Sequence, residues 1–292
     1  MNNDSLKILV LGSNGFIGQN IVEYLTLKNY NVLSPKRHEL NLLDTTQVDQ
    51  FLSQNRPNIV IYSVVNIHSL EENMTTYFNL ERCSSKFDKM ITIGSGAEYD
   101  MKNYKPLMNE EYFSQNIPSD TYGLSKFIIS NDIRKKPRNI VNLRVFGIYG
   151  KYEDYTRRFI SNNIYRALCG EGISMNKNMK FDFLYINDFV EILEQFFTAD
   201  TKHRNYNICT GKPVEFLEVA NIINDIHENG KGEITIKQPG FNTEYSGDNS
   251  RFLEEFGGFE FTDLRSAIDE LYQWYKNSFD IGDFCKNCSN DK

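Results

Sequence analysis

Apolar positions change period several times along the chain, and the changes predict its elements. Residues 7–11 (KILVL) form a continuous apolar run that reads as a buried strand. Positions 16–28 then carry Phe16, Ile17, Ile21, Val22 and Leu25 at helical spacing. A short strand at 31–33 leads through a polar turn to a helix at 46–54, stopped by Arg56-Pro57. The run at 58–65 (NIVIYSVV) is rich in β-branched residues and suits a central parallel strand covered on both faces. A helix at 72–85, a strand at 89–93 (KMITI), a helix at 121–134 and a strand at 140–145 (IVNLRV) follow. Strands and helices alternating in this way predict βαβ units, hence an α/β fold with a doubly wound parallel sheet of the Rossmann type.

Beyond Gly150 the rhythm loosens. The pattern predicts a helix at 157–169, a loop at 170–180, a short apolar segment at 181–186 and a helix at 187–199. A strand at 206–208, a helix at 215–228, a strand at 233–237 and an amphipathic helix at 263–277 complete the series. The expected organisation is a dinucleotide-binding domain over 1–155 and a smaller, interleaved substrate domain over 156–280. Some elements of the second return to the first, and 281–292 form a flexible tail.

Composition narrows the class without naming a chemistry. The chain has 292 residues, 40% hydrophobic and 24% charged, the balance of an ordinary globular protein. No apolar stretch approaches the roughly 18 residues of a membrane span. The net charge of −7 argues against non-specific nucleic-acid binding. Residues 1–5 and the brief apolar run after them lack a signal-peptide pattern, so the expected location is cytoplasmic. Of five cysteines, Cys83, Cys169 and Cys209 read as small hydrophobes. Cys285 and Cys288 form one C-x-x-C, read as incidental tail cysteines in preference to a redox or shared-metal pair. With four histidines and no second Cys pair, no metal site is expected.

The candidate chemistry begins at the first strand–helix junction. Gly12-Ser13-Asn14-Gly15-Phe16-Ile17-Gly18 places glycines where a tight turn, close approach to a pyrophosphate and helix–strand packing each require one. Its spacing is G-x-x-G-x-x-G, and the helix N-terminus behind it is an anion site. An NAD site normally has an acid at the end of the second strand, to accept from the ribose hydroxyls. Here Lys36 and Arg37 stand in that region, with Glu39 late in the turn. A planar guanidinium suits a 2′-phosphate, so NADP(H) is expected in preference to NAD(H).

Tyr122 and Lys126 are separated by four positions on a predicted helix and so share one face. A neighbouring ammonium is expected to lower the phenol pKa from about 10 and make Tyr122 a proton donor or acceptor. Ser95, just past the strand at 89–93, can bind a substrate oxygen, because ligands sit at the carboxyl ends of parallel strands.

With these motifs in order, the chain resembles an extended short-chain dehydrogenase/reductase of the epimerase/dehydratase group. The matching segments include GSNGFIG (12–18), Asn73 with Asn79 in NMTTYFNL, GSGAEY (94–99), YGLSK (122–126) and RVFGIYG (144–150). FDFLYINDFV (181–190), YNICTG (206–211) and the closing DNSRFLEEFGGFEFTDLRSAIDELYQWY extend the resemblance over nearly the whole chain. RHELNLLD (37–44) and RPNIVIYSV (56–64) are similar to GDP-fucose synthases and, less closely, to dTDP-4-dehydrorhamnose reductases. The resemblance implies NADPH, a nucleotide-sugar substrate, a homodimer and a place in making activated sugars for surface polysaccharide. It also implies that Arg37 meets the adenosine 2′-phosphate, with Asn41, Leu42 and Asp44 near the adenine. Tyr122 would exchange a proton with the sugar C4 oxygen, Lys126 would hold the nicotinamide ribose, and Ser95 would bond the C4 oxygen. Asn73 would belong to the backbone and water network beside them.

Departures from the family narrow the reaction. Dehydratases carry an Asp-Glu pair directly after the catalytic Ser or Thr, whereas this chain has Gly96 and Ala97. Glu98, in an extended segment, is expected to point away from Ala97. GDP-fucose synthases also epimerise, using a Cys and a His, and Ala97 and roughly Arg158 occupy those places. Phe181 stands where the family usually has an Arg, leaving Arg157, Arg158, Lys177, Lys180 or Arg251 as candidate diphosphate contacts. The sequence therefore reads as an NADPH-dependent 4-ketoreductase for a 4-keto-6-deoxy hexose or heptose, with an NAD-dependent 4-epimerase as the alternative.

Overall fold

The computed structural model describes residues 5–136, 139–227, 232–280 and 285. Six parallel strands form its central sheet: β1 (Lys7–Leu11), β2 (Asn31–Leu33), β3 (Ile59–Tyr62), β4 (Lys89–Ser95), β5 (Ile140–Val145) and β6 (Asn205–Ile208). Their spatial order is β6-β5-β4-β3-β1-β2, so the winding reverses between β1 and β3. That reversal is the switch point of an open α/β sheet, where ligands lie beyond the carboxyl ends of the strands.

Alternation along each strand divides the core. Ile8, Val10, Ile59, Ile61, Ile91, Ile93, Val141 and Leu143 face one layer. Leu9, Leu11, Val60, Tyr62 and Met90 face the other. The second layer is closed by α2 (Thr45–Asn55), α3 (Leu70–Glu81) and α4 (Thr121–Lys135), through Val48, Leu52, Tyr77, Leu80, Ile129 and Ile133. The first is closed by α1 (Phe16–Leu27) and α6 (Ile186–Gln195), and its apolar cluster continues into α5 (Phe159–Leu168), α7 (Phe216–Ile226) and α9 (Leu264–Ser278). Helix α8 (Ser250–Phe256) seats Phe252 in the same cluster.

Several elements differ from expectation. The segment expected as a loop at 170–180 contains the strand Ile173–Met175, paired in parallel with Ile234–Ile236. Helix α8 carries no long apolar period and is held by packing of Phe252. Cys169 is not a lone small hydrophobe, because it forms a disulfide with Cys285 across a sequence separation of 116 residues. That bond also makes Cys285 more than an incidental tail cysteine, while Cys288 lies outside the described residues, as does most of the expected flexible tail. Cys83 and Cys209 are buried free thiols. Among the described residues no helix is long and apolar enough to cross a membrane.

Candidate active site

The turn after β1 builds the first half of the site. Gly12 has φ +84°, and a Cβ on Gly18 would lie 2.1 Å from the Gly12 carbonyl oxygen, so the helix can approach the strand only without side chains there. Gly15 caps α1 with no side-chain bond to the first-turn N–H groups, and that turn carries no acid. Those N–H groups and the positive end of the helix are thus left to an anion. A cavity of about 470 Å³ opens in front of them, lined by Gly12, Ser13, Asn14, Gly15, Lys36, Arg37, Asn41, Leu42 and Asn73, among others. Phe16, Ile17 and Gly18 do not line it. They start α1 and support the turn from behind.

Lys36 and Arg37 are exposed at the rim. Glu39, the acid nearest the ribose position, turns back and accepts the Lys36 N–H at 2.7 Å. It is occupied in holding its own turn. Asp44 likewise serves as the N-cap of α2, accepting from Thr46 and Gln47 N–H. The floor is fixed by amides: Asn79 donates to the Leu42 carbonyl at 2.9 Å, and the Asn41 side chain accepts from Leu43 N–H at 3.2 Å. Glu72 and Asn66, which sequence reasoning passed over, line the same cavity and bond each other at 3.0 Å. A dinucleotide fits this set: free N–H groups for the pyrophosphate, cations at one end and an apolar shelf of Leu40, Leu42 and Val64.

The second half lies at the carboxyl end of β4. Ser95 is the last residue of that strand, in register with Val145 of β5. The next residues do not continue extended, as expected for Glu98, but close a single helical turn, Gly96–Tyr99. The Ser95 hydroxyl accepts from Ala97 N–H at 3.2 Å and Glu98 accepts from Ser95 N–H at 3.1 Å, a reciprocal cap. Glu98 is drawn to Arg144 of the neighbouring strand, a placing set by the helical turn and not by pleating. Helix α4, capped by Asp120, packs on this turn and places Tyr122 beside Ser95. Lys126, one turn along, is buried and donates to the Ile93 carbonyl at 2.6 Å. Asn73 ties the region together, donating to Ser125 Oγ at 3.0 Å and to the Asn66 carbonyl at 2.7 Å.

One electrostatic expectation is overturned. The Tyr122 pKa is raised, not lowered: burial dominates, the neighbouring Ser95 hydroxyl opposes it, and Glu98 adds to the rise. Lys126 directs its ammonium at the Ile93 carbonyl, and burial brings its own pKa down to about 8. Tyr122 is thereby held as a neutral phenol, the form that can give a proton.

The candidate diphosphate cations separate. Arg251 is engaged by Glu111 at 2.6 Å and by the Asn205 carbonyl at 3.1 Å, and Arg157 pairs with Asp154 at 2.8 Å. Arg158, the N-cap of α5, is close enough to Tyr122 to lower its pKa. Phe181 packs into an aromatic cluster with Phe183, Phe216 and Tyr245. Among the described residues no group of three or more His, Cys, Asp or Glu side chains could hold a metal ion.

Comparison with known proteins agrees with this geometry. GDP-L-colitose synthase of Yersinia pseudotuberculosis is 22% identical over 303 residues, covering 93% of this chain and 98% of the relative. A putative UDP-glucose 4-epimerase of Methanocaldococcus jannaschii is 27% identical over 308 residues, covering 93% and 99%. Among solved structures, a GDP-L-fucose synthetase from Naegleria fowleri bound to NADP superposes with TM-score 0.81 at 18% identity, over 94% of this chain and 95% of that one. The model of the NAD dependent epimerase/dehydratase family matches residues 8–209, which span the glycine turn, Ser95, Tyr122, Lys126 and the sixth sheet strand. The chain is therefore an extended short-chain dehydrogenase/reductase and belongs to the NAD dependent epimerase/dehydratase family of enzymes.

Proposed function

We propose that the protein is an NADPH-dependent reductase of the C4 keto group of a nucleotide-activated 4-keto-6-deoxy sugar, a hexose or heptose. The observation that carries this reading is the placing of Tyr122 beside Ser95 at the end of β4, with Lys126 one turn further on the same helix. Gly96 and Ala97, beside it, cannot move the protons that dehydration at C5–C6 or epimerisation at C3 and C5 would demand. The nicotinamide, when bound, supplies the hydride that reaches the sugar C4. Tyr122 gives its phenolic proton to the C4 oxygen as negative charge develops there, and Ser95 donates a hydrogen bond to the same oxygen. Lys126 holds the nicotinamide ribose, and its charge favours the phenolate left behind. Gly12 to Gly15 receive the pyrophosphate, and Lys36 and Arg37 the 2′-phosphate.

The cytoplasm is the proposed location and a homodimer the proposed assembly, both resting on the family resemblance. A 4-epimerase keeping NAD through a full cycle is the second reading, favoured by the name of the Methanocaldococcus relative. A screen of NADPH consumption across 4-keto-6-deoxy sugars carrying GDP, CDP, UDP and dTDP separates the two. Stoichiometric NADPH loss supports the reductase. Interconversion of 4-hydroxy sugar nucleotides without net cofactor change supports the epimerase.

A further inference from the structure

The turn that carries Ser95 is closed by a side chain. Glu98 is completely buried, and its Oε1 accepts the Ser95 N–H at 3.1 Å. Ala97 N–H in turn donates to Ser95 Oγ at 3.2 Å. Strand β5 holds the carboxylate from the other side. Asn142 and Arg144 stand two residues apart on that strand and so share one face, opposite Thr92 and Gly94 of β4. Asn142 donates to both carboxylate oxygens, and Arg144 Nε donates to Oε2. The guanidinium is itself fixed by the Ser130 hydroxyl at 2.7 Å and the Tyr99 hydroxyl at 3.1 Å. A Cβ on Gly94 would run into the Glu98 carboxylate and the Asn142 amide, so the strand leaves open the space that this group fills.

We propose that Glu98 is a positioning residue for Ser95: by accepting the serine N–H it holds the 96–99 turn closed, and the closed turn fixes the serine hydroxyl where the substrate oxygen binds. The inference rests on the reading of Ser95 given above.

The donors and acceptors support it. A hydroxyl has one proton and two lone pairs. Ala97 N–H occupies one lone pair of Ser95, which sets the side-chain rotamer and leaves the proton to be given to a substrate oxygen. That bond exists only while the turn is closed. Ser95 is buried, so its N–H needs an acceptor within the protein, and Glu98 supplies it from three residues along the same turn. Ser95 N–H, Asn142 and Arg144 all meet the carboxylate as donors, which suits a group that accepts on every lone pair.

The test removes the buried charge from both sides and varies only the acceptor. Two double variants share Arg144→Met. In one, Glu98→Leu leaves the Ser95 N–H without a partner; in the other, Glu98→Gln keeps an amide oxygen for it. Each is assayed for NADPH-dependent reduction, well below its urea midpoint, with the best substrate of the four-nucleotide panel. The variant carrying Glu98→Leu is expected to lose about tenfold to a hundredfold in kcat, the scale of a misplaced reacting group. The one carrying Glu98→Gln should regain most of it, with the same KM for NADPH in both. The pair is then repeated on Ser95→Ala, where the two should turn over equally, because the acceptor acts only through the serine hydroxyl. Equal kcat in the two double variants with Ser95 in place overturns the proposal. So does a difference that persists undiminished on Ser95→Ala, the result that a loosened fold alone would give. Full turnover in Ser95→Ala by itself is a separate failure, and overturns the reading of Ser95.

Discussion

Glu98 accepts the backbone N–H of Ser95 at 3.1 Å with one carboxylate oxygen and meets the guanidinium of Arg144 with the other. The pair is fully buried, 0% and 1% exposed, directly beneath the residue proposed to bind the substrate oxygen. Asn142 donates to both Glu98 oxygens at 3.1 and 3.2 Å, while Tyr99, Ser130 and Asn205 accept further bonds from Arg144. Such a pair is costly to break from one side, because the abandoned charge stays buried.

Glu98→Gln should therefore destabilise the protein by about 3–5 kcal/mol, read as a fall in the urea midpoint. Replacing both partners, Glu98→Leu with Arg144→Met, should recover most of that loss. A Glu98→Gln variant that unfolds with the unaltered protein would show that the pair contributes nothing to stability.

Tyr122→Phe should lower reduction of a 4-keto sugar nucleotide by about 10²–10⁴-fold in kcat, the range for losing a positioned proton donor. NADPH binding, followed by fluorescence titration, should change little. Retention of full activity would remove Tyr122 from the chemistry.

Arg37→Ala tests the choice of dinucleotide. A hydrogen bond to a charged group contributes about 1.5–3 kcal/mol, so NADPH affinity should weaken by roughly tenfold to a hundredfold. NADH affinity should hold. If both cofactors weaken equally, or neither does, Arg37 does not meet a 2′-phosphate.

Burial lowers the Lys126 pKa from its ordinary value near 10.5 to about 8. Between those values the unfolded chain binds more protons at this residue than the folded one, so the residue's contribution to stability rises with pH and is lost as pH falls through about 8. Tyr122, raised above 10, opposes this only at higher pH. Cofactor-free protein should thus gain stability relative to a Lys126→Met variant as pH rises from 8 to 10. Parallel midpoints for the two across that range would place the ammonium in a more solvated setting.

Much of the fold was legible because local pattern and tertiary role coincide in a parallel sheet. The strands at 7–11 and 140–145 and the helices near 16–28 and 263–277 announce themselves by period, since one face of each must be apolar. The strand at 173–175 did not, because three residues carry too little period to outweigh a polar, glycine-bounded surrounding, and only its parallel partner at 234–236 makes it a strand. Tyr245 was illegible for a related reason: nothing near it in sequence hints that the chain between Phe241 and Asn249 returns to stack this ring on Tyr104 and Phe181. The Cys169–Cys285 bond, spanning 116 residues, is equally invisible to spacing.

The residue order by itself determined that a glycine turn follows a buried strand, that Tyr122 and Lys126 share a helix face, and that cations stand near the end of the second strand. These are short-range properties, set by backbone period and by which side chains can lie within one turn of each other. Only the tertiary structure decided that Glu39 is occupied by its own turn, that Glu98 is drawn under Ser95 to Arg144, and that burial holds Tyr122 neutral. Each of those depends on groups far apart in the chain meeting in a place from which water is excluded, where the energy of a charge or a hydroxyl is set by its neighbours in space.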